Sequence, residues 1–338
     1  MPTHHIKAEK KKEHNKGETQ QHFFMQLRHF RLRSLWVTLT LFTYILGLGS
    51  GYLLWGQDLL TSDQAAQPES ETSDISIIAG MVSQINPHDG FKIPAQYGDI
   101  GPKLLKSGAI DYEKFLLVYE QSGKSLSDEQ VAVLENGSKE AIVIDRDNAH
   151  FLLNLFWALG LTNSNPLLEQ GPMMKYSEGQ IGRFASTGGW TIGVKSPTEL
   201  YSSTAIISLT PEQHTLVEEV ASGVYRPCCN NPTHFPDCNH GMAMLGLLQL
   251  LASQGVTAEQ MFETAKYTNA FWFPQQNLDL AIFFKETQGL DFEDVDARKI
   301  VGRNFSSGSG SQAVKQWLGE AGLIERAPSQ GGSCGVSS

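Results

Sequence analysis

The sequence predicts an all-α domain held outside the cytoplasm by a single N-terminal transmembrane helix, with one short β-hairpin near residues 190–209. Three observations lead there. A charge-free apolar run fills Ser34–Gly56, cationic residues crowd in front of it, and beyond it helix-start signals recur without any βαβ alternation.

The first 33 residues form a basic tail. They hold eight of the chain's 26 Lys and Arg, and five of its ten His. The whole chain carries a formal charge of −10, so the remainder is more acidic than that figure. Phosphate binding needs a basic surface, which excludes nucleic acid as the main partner.

Residues 34–56 read SLWVTLTLFTYILGLGSGYLLWG. At about 1.5 Å per residue, roughly 20 apolar residues cross a hydrocarbon core. Arg28, Arg31 and Arg33 precede the run and no Lys or Arg follows until Lys92, a positive-inside pattern that puts Met1 in the cytoplasm and the C-terminal domain outside. Trp36 and Trp55 suit the two interfaces. The run has no small-x-small site at its end, so it reads as an uncleaved signal-anchor in the cell membrane. Gly47 and Gly51 have the spacing that lets two such helices approach closely, which leaves a homodimer open.

Residues 57–76, ending in QAAQPESETSDIS, read as a polar linker. Residues 77–326 read as the helical domain. Ser127 with Gln130, Thr210 with Gln213 and Thr257 with Gln260 have capping-box spacing, and Pro211 falls at a first helical position. Apolar periodicity predicts helices near Tyr112–Glu120, Asn148–Leu159, Leu278–Phe284 and Gln312–Gly319. HGMAMLGLLQLLASQ, His240–Gln254, is apolar on nearly every face and belongs at the centre of a core, with Gly255 ending it. Only Trp190–Val194 and Ala205–Leu209 look strand-like, hence the hairpin. Residues 327–338 form a Gly/Ser tail containing Cys334.

Some segments explain themselves structurally. Asp145-Arg146-Asp147-Asn148 begins like a calcium loop, but His150 and Phe156 stand where glycine and glutamate are needed, so capping by Asp145 or Asp147 suffices. Phe271–Pro274 reads as a helix end packed on the core, and Gly308–Ser311 as a turn before the last helix. The sequence holds no nucleophile elbow, HExxH or nucleotide fingerprint.

The chemistry concentrates in YRPCCNNPTHFPDCNHGMAM, residues 225–244, where three of the four cysteines fall. Prolines 227, 232 and 236 stiffen the loop. Asp237 or Asn239 is expected to cap the following helix, placing Cys238 and His240 at its N-terminus, where the helix dipole favours a thiolate. Three readings stand side by side. Cys228, Cys229, Cys238 and His240 make a ligand set for Zn(II) or Cu(I), with His234, Met244 and Cys334 as secondary donors; His240 and Met244 share a helix face. A disulfide from Cys238 to Cys228 or Cys229 would staple an interaction module. A low-pKa Cys238 would serve thiol exchange or nucleophilic chemistry.

The run P-C-C…H-F-P-D-C, followed by a helix, a glycine and Val256–Gln260, resembles the PCYCGC-motif proteins. These are membrane-attached, extracytoplasmic bacterial proteins, and the resemblance implies a metal-binding role. It covers only the stretch around Cys228–Cys238. Cys228, Cys238 and His234 match by position, while Cys228-Cys229-Asn230-Asn231 replaces the Cys-Tyr-Cys-Gly-Cys core.

Overall fold

A computed structural model describes residues 78–324 of the chain. The basic tail, the Ser34–Gly56 anchor with Gly47 and Gly51, the linker and the Cys334 tail lie outside the described residues. Among the described residues, no helix is long and apolar enough to cross a membrane.

The described residues are mostly helical. After a helical stretch at 78–85 come β1 (Phe91–Gly98), α1 (Ile100–Ser107), α2 (Tyr112–Gln121), α3 (Asp128–Asn136), β2 (Ser138–Ile144) and α4 (Ala149–Thr162). Four short helices follow: α5 (Pro166–Gln170), α6 (Pro172–Ser177), α7 (Ala185–Gly188) and α8 (Pro197–Leu200). The longer α9 (Pro211–Gly223), α10 (Asn239–Ser253), α11 (Ala258–Trp272) and α12 (Pro274–Gln288) lead to α13 (Ala297–Ile300), α14 (Arg303–Ser306) and α15 (Gly308–Glu320).

The local signals act as their chemistry requires. All three expected capping boxes form, at the starts of α3, α9 and α11. Gly255 follows α10 with φ +77°, a left-handed conformation that glycine adopts without a Cβ penalty. One boundary differs from expectation: Gly308–Ser311 is the first turn of α15 rather than a turn before it. The Ser307 hydroxyl accepts from the Gly310 N–H at 3.0 Å and so starts the helix early.

The sheet also differs. Two antiparallel strands form, but they are β1 and β2, not Trp190–Val194 and Ala205–Leu209. β1 does alternate, with Ile93 and Ala95 buried between exposed Lys92, Pro94 and Gln96, but a proline inside the run argues against a strand, and the register shifts between Lys92 and Gln96. The expected hairpin is replaced by contacts to the end of α1: the Trp190 indole donates to the Ala109 carbonyl at 2.7 Å, and the Val194 N–H to the Gly108 carbonyl at 2.9 Å. A fully buried indole with its donor satisfied outweighs local strand propensity.

Helix α10 occupies the core. Met242–Ala252 is buried without interruption, and each fully buried leucine there contributes about 1.5–3 kcal/mol. Its neighbour α4 approaches it backbone to backbone. A Cβ on Gly160 would lie 2.0 Å from the Met242 carbonyl oxygen, and one on Gly246 2.2 Å from that of Phe156. The two glycines therefore set the depth of α10, and with it the position of the loop that enters its N-terminus.

Candidate metal centre

The loop between α9 and α10 is pinned at many points. The Tyr225 N–H donates to the Val301 carbonyl at 2.8 Å and the Asn269 side chain to the Tyr225 carbonyl at 2.9 Å. The Thr233 N–H returns to the Val224 carbonyl at 2.8 Å, and the Gly308 N–H donates to the Cys229 carbonyl at 2.7 Å. Backbone groups held on this scale leave their side chains little freedom of position.

Within that frame Cys228, Cys229 and Cys238 converge. Their sulfurs all lie within 4.8 Å of one another, and Cys228 and Cys238 are 3.4 Å apart. All three are free thiols; Cys228 is exposed and the other two are half-buried. Neither Asp237 nor Asn239 caps α10. The cap is Cys238 itself, whose sulfur accepts from the Gly241 N–H at 3.4 Å. An extended backbone at Cys238 turns its sulfur back over the first helical turn, where the helix dipole favours negative charge.

The residue that organises this cluster is Arg226, whose side chain is only 1% exposed. Its Nε donates to Cys238 Sγ at 3.1 Å, one terminal nitrogen to the Asn231 carbonyl at 2.8 Å, and the other to Asp237 Oδ1 at 2.8 Å and the Phe235 carbonyl at 3.3 Å. A guanidinium is the one side chain with five donors in a fixed planar fork, which matches this set of acceptors. Asn231 completes the ring by donating to Asp237 Oδ2 at 2.8 Å. A Cβ on Gly241 would meet an Arg226 nitrogen at 2.3 Å, so glycine is needed there for the guanidinium to lie on the helix end.

The electrostatics separate the three thiols. Hydrogen bonds from Cys228 and Cys229, helped by the Arg226 charge, hold the Cys238 thiol far below the ordinary thiol range. Cys228 is pushed up by its hydrogen bonds to Cys229 and Cys238 and by burial. Cys228 pulls Cys229 down, but Cys238 and burial outweigh that and leave Cys229 raised to about 11. Burial opposes the charge on Arg226, and the neighbouring sulfurs, Cys238 foremost, more than offset it, so the guanidinium stays firmly protonated.

The other expected donors sit elsewhere. The His240 ring packs against Trp272 and Phe273, with centroids 5.8 and 4.4 Å away, and does not join the group of ligand atoms. Burial lowers its pKa to about 4, so it is neutral, and its Nδ1 is buried without a hydrogen-bond partner. His234 turns to Glu218, 3.2 Å away. Met244 is 1% exposed and fills the core. Cys334 lies outside the described residues. Sequence reasoning missed Arg226 and Asn231; a lone arginine beside Pro227 carries no signal that it will be buried.

Comparison of this chain with family models, with curated proteins and with solved structures finds no match.

Proposed function

We propose that this protein is a membrane-anchored, extracytoplasmic binder of a soft metal ion, Cu(I) or Zn(II), and that Cys228, Cys229 and Cys238 hold the ion. The observation that carries this reading is the convergence of three thiols around a buried guanidinium. A metal–sulfur bond of about 2.3 Å puts the sulfurs of one ion roughly 4 Å apart; here all three lie within 4.8 Å of one another, with Cys228 and Cys238 3.4 Å apart. Thiolates are the binding form, and the Arg226 charge and the α10 terminus both stabilise negative charge on Cys238. Soft sulfur donors select Cu(I) and Zn(II) over the hard cations.

The 3.4 Å approach of Cys228 to Cys238 favours one rival, a disulfide between them that leaves Cys229 free. Elemental analysis of the purified full chain, beside Cys238→Ser, separates the two. Near-stoichiometric metal that disappears on substitution supports the metal site. A metal-free protein with a Cys228–Cys238 peptide in a non-reducing map supports the staple and removes the metal reading.

A further inference from the structure

We infer that the centre is three-coordinate and selects Cu(I) over Zn(II), because Arg226 and Asn231 hold its nearby carboxylate, Asp237, out of the ligand shell. This rests on the metal reading above and goes further by naming the ion and the residues that choose it.

Structural zinc closes its shell with four protein ligands. Three sulfurs are at hand, so a closed zinc shell made of protein ligands needs a fourth donor. His240 is against the α11–α12 junction, His234 is engaged with Glu218, and Met244 is in the core. Two oxygens lie near the sulfurs. The Asn231 carbonyl is 3.8 Å from Cys229 Sγ and already accepts from Arg226. Oδ1 of Asp237 is 3.7 Å from the same sulfur and is the stronger candidate for a fourth ligand. Both Asp237 oxygens are occupied, however, Oδ1 by Arg226 and Oδ2 by Asn231, each at 2.8 Å. Freeing the carboxylate would break a charge-assisted hydrogen bond to a buried cation, which is costly.

Cu(I) does not require that ligand. It is soft and is satisfied by a sulfur-only shell of lower coordination number. Charge does not make the choice: with the Arg226 guanidinium counted, three thiolates keep one negative charge on Cu(I) and none on Zn(II), so the selection rests on coordination number. Arg226 and Asn231 are therefore positioning residues: they act on metal choice through the Asp237 carboxylate.

The test uses the full chain, reduced and purified in detergent. Cu(I) and Zn(II) affinities are measured by competition with chromophoric chelators, and the bound shell is read by X-ray absorption. The expected wild-type result is Cu(I) bound more tightly than Zn(II), in a shell of three sulfurs and no oxygen. Asn231→Ala leaves Oδ1 on Arg226 but releases Oδ2, so the carboxylate can turn that oxygen to the ion; the substitution should raise Zn(II) affinity by on the order of tenfold and add an oxygen to the zinc shell. Asn231→Ala combined with Asp237→Asn should cancel both changes. A wild-type zinc shell containing an oxygen from Asp237, or a Zn(II) affinity that Asn231→Ala does not move, overturns the inference while leaving the metal site standing. Failure of the wild-type chain to bind either ion overturns both.

Discussion

Arg226 and Cys238 meet through a single hydrogen bond, Nε to Sγ at 3.1 Å, on a sulfur that is already the N-cap of α10. One atom thus ties three things together: the start of the central helix, a buried positive charge and the thiol cluster. Substitutions around this contact separate helix stability from ligand binding.

Cys238→Ser should remove metal binding and leave the fold intact. Serine is among the preferred N-cap residues, so the helix start is preserved and the stability of the metal-free protein should stay within about 1 kcal/mol of wild type. Urea unfolding monitored by circular dichroism, alongside elemental analysis, reads both effects. A large loss of stability would mean that the sulfur does more than cap the helix.

Arg226→Met should behave in the opposite way. It strands Asp237 without its cation and leaves the Asn231 and Phe235 carbonyls short of a donor. Breaking a buried pair from one side costs about 3–5 kcal/mol; Asp237 keeps 22% of its side-chain exposure, which places the effect near the lower end. Denaturant midpoints measured on metal-free protein check this, and a near-neutral result would show that the loop is held by its backbone bonds alone.

Gly241→Ala adds one methyl group where the guanidinium lies, with its Cβ 2.3 Å from an Arg226 nitrogen. Alanine favours the helix, so propensity alone predicts a gain. Overpacking predicts a loss of about 1–3 kcal/mol, and the contact is too short for propensity to win. Thermal unfolding of the variant gives the sign directly.

Asp279 offers a test remote from the cysteines. It lies buried in α12 with Gln275 Nε2 donating to its Oδ1 at 3.2 Å, and burial raises its pKa above the usual 3.8. Between 3.8 and that raised value the native state holds more protons than the unfolded chain, so stability falls as pH rises through the window, and the penalty persists at neutral pH. Asp279→Asn should therefore be more stable than wild type at pH 7, with the difference fading as the pH drops below 3.8. Unfolding curves across that range check both the sign and the window.

Much of the helical framework was legible because its signals are local. Ser127, Thr210 and Thr257 cap helices through bonds to residues three positions on, and the apolar run from Met242 to Ala252 can bury all its faces only inside a core. The strands were not legible. Pro94 inside β1 argues against a strand there, and the pairing joins segments separated by three helices.

The same division runs through the site. The sequence by itself determined that three cysteines share one proline-stiffened loop at the mouth of the central helix, because spacing along the chain and helix-start chemistry are written in adjacent residues. Only the tertiary structure decided which donors converge: it turned His240 onto Trp272 and Phe273, drew Asp237 to Arg226 and Asn231, and buried the arginine against Cys238. The reason is that a buried charge is tolerated only where every partner is supplied at once. Those partners, Asn231, Phe235, Asp237 and Cys238, are spread along the loop, and Gly241 on the helix leaves room for the guanidinium, at positions fixed by packing rather than by any local pattern.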